Sequence, residues 1–137
     1  MNNLLIDTNV LIYAIDHDSV YFEKAQNIFY DKNVSLFTTS KNISEFLTVI
    51  TRYPENGLSI YEALKAIDDF SSFIQILYPT EITYKKFLNI LDIYQPIGLK
   101  IHDFEIASIG LANGIHQIAT FNQKDFKYIK DIRFYPI

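Results

Sequence analysis

Short apolar runs alternate along this chain with longer segments whose apolar residues recur at three- and four-residue spacing, and that alternation leaves few folds open. A short run of β-forming residues with no polar face is stable only inside a sheet covered on both sides, and the amphipathic segments between runs supply the cover. Runs of this kind are Leu4 to Ile6, Val34 to Thr38, Ile74 to Leu77, Gln117 to Thr120 and, more weakly, Ile132 to Tyr135. The order of elements predicts an α/β domain with a central, mainly parallel sheet of four to five strands flanked by helices.

The intervening segments read as helices. Val10 to Ile15 opens one, with Asp7 or Thr8 as its cap. A second spans Ser19 to about Asp31, with Val20, Ala25, Ile28 and Phe29 near helical spacing. From Ser40 to about Tyr53, Ile43, Phe46, Leu47 and Ile50 make one face, and Pro54 to Gly57 break it. Ser59 and Glu62 have capping-box spacing ahead of Ala63, Leu64, Ile67 and Phe70. Thr80 to about Tyr94 presents Ile82, Phe87, Leu88, Leu91 and Ile93. Gln95 to Ile101 reads as a loop, and His102 to Ala112 as a helix stopped at Asn113-Gly114.

At 137 residues, nearly half of them apolar, the chain is sized for one domain, residues 1–137, with a single well-buried core. No apolar stretch approaches the roughly 20 residues of a membrane span, and no charged segment followed by a long apolar one opens the chain, so a cytoplasmic protein is expected. The absence of cysteine excludes disulfides and thiolate metal sites. A formal charge of −4 argues against binding nucleic acid by broad attraction to phosphate. It leaves a nuclease open, because cations held by carboxylates reverse the potential that a phosphate meets.

Four carboxylates, Asp7, Glu45, Asp103 and Asp125, fall where an apolar segment meets a polar one. In open parallel sheets, ligands bind beyond the carboxyl ends of the strands, where the strand order reverses. Asp7 ends the first strand, and the turn from Thr120 to Asp125 follows the fourth. Asp103 lies in the first turn of the helix leading to that strand, and Glu45 in the helix after the second. If the first and fourth strands are neighbours, all four acids reach one crevice. Singly they have plainer readings: Asp7 as a helix cap, Asp103 as a first-turn acid complementing the helix dipole at about 0.3–1 kcal/mol, Asp125 as solvated surface. Glu45, beside an apolar face, is harder to explain so.

Together the four demand more. Unpaired carboxylates repel by about 4 kcal/mol per pair at ~4 Å and an effective dielectric of ~20, so a fold that gathers them requires protonation or a cation. Oxygen donors suit Mg²⁺ or Mn²⁺, whereas Zn²⁺ favours histidine or cysteine. His17, His102 and His116 lack ligand spacing, and only His102 adjoins the acids.

These segments resemble the PIN-domain ribonucleases, and among them the VapC toxins of toxin–antitoxin pairs. Leu5-Ile6-Asp7-Thr8-Asn9-Val10-Leu11-Ile12-Tyr13-Ala14 is similar to the family's first motif and is the most specific match. Thr38-Thr39-Ser40 leading through Ile43 to Glu45 resembles the second, His102-Asp103-Phe104-Glu105-Ile106-Ala107 with Ala112-Asn113-Gly114 the third, and Ala119 to Phe126 the fourth. The matches run from end to end in the family's order. The resemblance implies a PIN-like fold, and it implies Asp7, Glu45 and Asp103 as catalytic, metal-holding acids for Mg²⁺, with Mn²⁺ as a substitute. Asn9 and Thr120 would orient ligands or water.

The fourth motif departs from the common pattern: Asn122 stands where many members have Asp, and the carboxylate comes three residues later at Asp125. Either Asn122 holds a metal-bound water while Asp125 completes the charge, or Asp125 only caps the following turn and three carboxylates remain. The implied reaction is hydrolysis of RNA phosphodiesters by metal-activated water. Lys124, Lys127 and Lys130, which share about one face if the C-terminal turn is helical, are with Lys100 and Arg52 candidates to guide the RNA backbone, against a plainer reading as a solvated face. Tyr13, Tyr53 and Tyr94 are the candidate base-stacking tyrosines. Implied partners are a cognate antitoxin that inserts a C-terminal segment into the acidic cleft and a second copy in a homodimer. The helices at Val20 to Phe29 and Ile43 to Ile50 are the candidate docking surfaces.

Two rivals fall behind. A phosphatase of the haloacid-dehalogenase type also has Asp after its first strand but resembles Asp-x-Asp, and here the third residue is Asn9. A binding-only module on the same fold would be expected to have lost its acids.

Overall fold

The computed structural model describes residues 2–52 and 57–137. Five strands, β1 (Asn2–Ile6), β2 (Val34–Thr39), β3 (Ile74–Leu77), β4 (Gln117–Ala119) and β5 (Arg133–Phe134), form one sheet in the order β3-β2-β1-β4-β5. Every pairing is parallel. Parallel neighbours need crossovers, and among the described residues six helices supply them: α1 (Thr8–Tyr13), α2 (Phe22–Phe29), α3 (Ser40–Arg52), α4 (Ile60–Ser71), α5 (Glu81–Tyr94) and α6 (Lys100–Ala112).

The central strand shows why both faces must be covered. Leu4 and Ile6 enter a core with Val10, Phe46, Ile50 and Phe70 from the helices α1, α3 and α4. Leu5, pointing the other way, enters a second core with Ile90 of α5, Phe104 and Ile106 of α6, and Ile118 of β4. Close approach of α6 to β1 depends on Gly110, where a Cβ would lie 3.1 Å from Leu5 Cδ2. Gly114 adopts φ 74° just beyond α6, the left-handed stop expected there. Ser59 and Glu62 form the expected capping box on α4.

Several expectations need correction. The second helix begins at Phe22, and Val20 is 86% exposed instead of lining its apolar face. On α4 and α5, Leu64, Ile82, Leu88 and Ile93 are exposed; Ala63 and Phe70, and Thr83 and Ile90, take the buried positions. In short amphipathic helices rich in apolar residues, more than one face satisfies the spacing, and only packing decides. The last helix starts at Lys100, two residues earlier than expected, so Lys100 and Ile101 belong to its first turn. Tyr53 and the expected break at Pro54 to Asn56 lie outside the described residues. Among the described residues no helix is long and apolar enough to cross a membrane.

Candidate functional site

The strand order reverses between β1, which continues to β2, and β4, which continues to β5. Asp7 follows β1 directly, and its N–H is bonded to the Ala119 carbonyl at 3.1 Å, so the chain leaves both strands at one point. Asp7 caps α1 and accepts from the Thr8 N–H at 2.9 Å. Its other partners come from three further places. Thr120 Oγ1 donates at 2.7 Å, Asn42 Nδ2 at 3.3 Å and Asn9 Nδ2 at 3.4 Å.

Asn9 and Thr120 both stand against Asp7. Asn9 Nδ2 also donates to Thr120 Oγ1 at 3.2 Å, and Asn9 Oδ1 accepts from the Phe121 N–H at 3.1 Å, which clamps the turn after β4 onto α1. Asn42 is the residue that sequence reasoning passed over. It is fully buried; its Oδ1 accepts from Thr39 Oγ1 at 2.7 Å, and its Nδ2 reaches Thr8 Oγ1 at 3.0 Å as well as Asp7. The available signal was its place on the buried face of α3, four residues before Phe46 and eight before Ile50. An amide on such a face requires polar partners.

Glu45, Asp103 and Asp125 line an adjoining open cleft of about 570 Å³, together with Arg52, Lys100 and His102. A hollow of about 630 Å³ lies at the amino ends of β2 and β3, away from these acids, with Asp31 as its one carboxylate among the described residues. Glu45, on the exposed side of α3, faces Thr8 Oγ1 at 3.4 Å. Across the cleft, Lys41 of α3 pairs with Glu105 of α6 at 3.4 Å and ties together the helices that carry Glu45 and Asp103.

Asn122 and Asp125 are resolved as a pair: Asn122 Nδ2 donates to Asp125 Oδ2 at 2.5 Å, and the Asn122 N–H reaches Thr120 Oγ1 at 3.0 Å. The Asn122 amide thus lies against the Asp125 carboxylate, and Asp125 lines the cleft. Of the lysines, Lys124, Lys127 and Lys130 are exposed, but Lys124 sits in a single 3-10 turn at Gln123–Asp125 that does not continue as a helix. They do not form one helical face. Tyr94 and Tyr13 are half-buried, Tyr94 accepting from the Lys130 N–H and Tyr13 packing on Tyr21 and Phe121.

The electrostatics couple all four acids. Burial pushes the Asp7 carboxyl up to about 6 against the Thr120 and Thr8 hydrogen bonds, and Glu45 and Asp125 add repulsion. Burial, then Asp125, Asp7 and Glu45, push Asp103 up to about 7, opposed by Lys100. Desolvation also raises Glu45, opposed by the Thr8 hydroxyl and by His102 and Lys41. Hard oxygen donors in mutual repulsion fit a divalent cation, which would offset that repulsion. As they stand, no three of these acids converge on a single ion position among the described residues.

Known structures share this architecture. VapC20 of Mycobacterium tuberculosis, a toxin that cleaves the sarcin–ricin loop, is 14% identical, with a TM-score of 0.73 over 92% of this chain and 95% of that one. VapBC2 of Rickettsia felis, bound to a DNA fragment from its promoter, is 20% identical, with a TM-score of 0.71 over 97% of each chain. VapBC-1 of nontypeable Haemophilus influenzae is 21% identical, with a TM-score of 0.69 over 97% of this chain and 96% of that one. At such identities the likeness is one of fold. No curated protein sequence matches the chain. The profile of the PIN domain family, however, matches residues 4–132, a span that carries Asp7, Glu45, Asp103, Asp125 and the Asn9–Thr120 clamp, and the chain belongs to that family.

Proposed function

We propose that this protein is a Mg²⁺-dependent endoribonuclease, the toxin of a toxin–antitoxin pair. The observation that carries the reading is the gathering, at the reversal of a parallel sheet, of four coupled carboxylates of which two have pKa values raised to about 6 and about 7. A fold bears that repulsion where a cation or a proton offsets it. Asp7, Asp103, Glu45 and Asp125 would hold the ion, and Mn²⁺ would replace Mg²⁺. When bound, such an ion acidifies water and offsets charge on a reacting phosphate.

The chain's own residues have distinct tasks. Thr8, Asn42, Thr120 and Asn9 fix both oxygens of Asp7. Asn122 aims Asp125, and Lys41 with Glu105 sets the spacing of α3 and α6. Lys100 and Arg52, at the cleft wall, attract the RNA backbone in a chain of net charge −4. Single-stranded or looped RNA suits an open cleft, because its phosphates are accessible. On the same reading a cognate antitoxin is the protein partner, and it covers the acidic cleft. A second copy completes a homodimer on the same reading.

The test is cleavage of a mixed structured RNA by purified protein with Mg²⁺, with Mn²⁺ and with excess chelator, beside Asp7→Asn. Cleavage that requires both metal and Asp7 is expected. Equal cleavage by Asp7→Asn overturns the assignment, and metal-independent cleavage overturns the chemistry.

A further inference from the structure

We infer that Tyr128, with Lys100 and Lys127, is a nucleotide-binding subsite at the rim of the acidic cleft, where an unpaired RNA base stacks on the tyrosine ring and the two ammonium groups take the adjoining phosphate. The inference rests on the reading of the cleft as an RNA site and adds a specific contact to it.

Tyr128 is 59% exposed, although the turn that carries it is anchored on both sides. Phe126 and Ile129 are each 1% exposed and sit in the core beneath α5 and α6, and the Lys130 N–H donates to the Tyr94 hydroxyl at 3.1 Å. The ring therefore projects from a fixed support, and little conformational entropy remains for a ligand to remove. Isolated exposed tyrosines are common and carry no message. This one has the Lys100 ammonium 5.1 Å and the Lys127 ammonium 5.0 Å from its ring centre. Among the described residues neither lysine is in an ion pair with a carboxylate.

Lys100 joins this cluster to the acids. It lines the cleft with Asp103 and Asp125, and its charge acts on the Asp103 carboxyl. Tyr128 follows Asp125 by three residues, so their Cα atoms are at most about 11 Å apart. Lysine stems are flexible, so an arriving base can displace an ammonium from the ring face while the charge stays beside the backbone phosphate. A π-face beside free cations is the composition of single-strand binding sites, in which every base can stack. A protein segment could also lie on an exposed tyrosine, but two unpaired cations at the mouth of an acidic cleft favour a polyanion that must be led past negative charge.

The experiment titrates a short fluorescent single-stranded RNA into full-length Asp7→Asn protein with Mg²⁺ by anisotropy, then repeats it with Tyr128→Ala, Tyr128→Phe and Lys127→Gln added. The expected loss for Tyr128→Ala is about tenfold in affinity, with Tyr128→Phe within about twofold of its parent, because stacking uses the ring. Lys127→Gln is expected to flatten the dependence of affinity on salt by about one counterion. Unchanged affinity in Tyr128→Ala overturns the subsite and leaves Tyr128 to a protein partner. Absence of RNA binding in the parent also overturns it. Tyr128-dependent binding by a wild-type protein that cuts no RNA would uphold the subsite while refuting the nuclease. Metal-dependent cleavage with Tyr128→Ala binding undiminished would do the reverse.

Discussion

Replacing Asp103 with asparagine is expected to stabilise the metal-free protein while removing its cleavage of RNA. Asp103 is half-buried, and its pKa stands at about 7 against an ordinary 3.8, through burial first and repulsion from Asp125, Asp7 and Glu45 after it. No hydrogen bond to its carboxylate offsets this among the described residues. A carboxyl whose pKa is higher in the folded than in the unfolded chain binds more protons when folded. The penalty is therefore absent below about pH 4, grows as pH rises through the interval up to about 7, and is complete above it. Taken whole, the difference is worth about 4 kcal/mol at ~1.4 kcal/mol per tenfold. Four repelling groups share it and water enters the open cleft, so about 1–2 kcal/mol is expected from one neutralisation. Unfolding entropy scales with length, and for a chain of 137 residues that gain raises Tm by about 3–7 °C. Thermal unfolding followed by circular dichroism, with chelator, from about pH 4 to about pH 8, measures it. The gain is expected at the alkaline end and lost at the acid end. Mg²⁺ is expected to raise the Tm of wild type more than that of the variant. An equal or lower Tm for Asp103→Asn at about pH 8, or a gain independent of pH, would refute the reasoning.

Two further substitutions examine the support of the site. Asn42→Ala leaves the Thr39 donors unsatisfied in a buried position and removes a donor from Asp7, at an expected cost of about 2–3 kcal/mol in urea unfolding together with loss of cleavage; a loss under about 0.5 kcal/mol would show that the network is dispensable. Asp125→Asn keeps an acceptor for Asn122 and is expected to reduce cleavage of RNA less than Asp7→Asn does in parallel kinetic assays; complete loss would assign Asp125 to direct contact with the metal.

Strand ends are the most legible part of this fold, because a parallel strand buried on both faces must stop where polar residues begin. Leu4-Leu5-Ile6 stops at Asp7, and the fourth strand, expected over Gln117 to Thr120, ends one residue earlier at Ala119. Sequence position then leaves one question for the structure, whether β1 and β4 are neighbours, and the order β3-β2-β1-β4-β5 answers it. Helix faces are less legible. Ile82, Leu88 and Ile93 of α5 satisfy helical spacing but turn outward, whereas Phe87 and Leu91, from the same expected face, pack with Ile90 and Tyr94 against the core that includes α6. Asn42 is hidden for a related reason: its role depends on Thr8 and Asp7, thirty-four and thirty-five residues away along the chain. Tyr128 is hidden because exposure of a tyrosine has no periodic signature.

The two carboxylates with the highest pKa values differ in what holds them, and the difference divides the labour of the site. Asp7 accepts from Thr8, Thr120, Asn42 and Asn9, so both oxygens are fixed, and those donors favour its charged form. Burial still outweighs them and leaves its pKa at about 6, so near neutral pH Asp7 is mainly ionised and held in place. Asp103 has no such donors among the described residues, and burial with repulsion from Asp125, Asp7 and Glu45 leaves its pKa at about 7. On the proposed reading, a divalent cation held by these acids would displace any proton that Asp103 carries, while the donors around Asp7 already favour its charged form. The rigidity of the site is the work of uncharged neighbours, Thr8, Asn9, Asn42 and Thr120. An acidic cluster can be recognised in a sequence by its carboxylates, but in this fold it is the amides and hydroxyls behind them that decide which carboxylate is fixed and which one titrates.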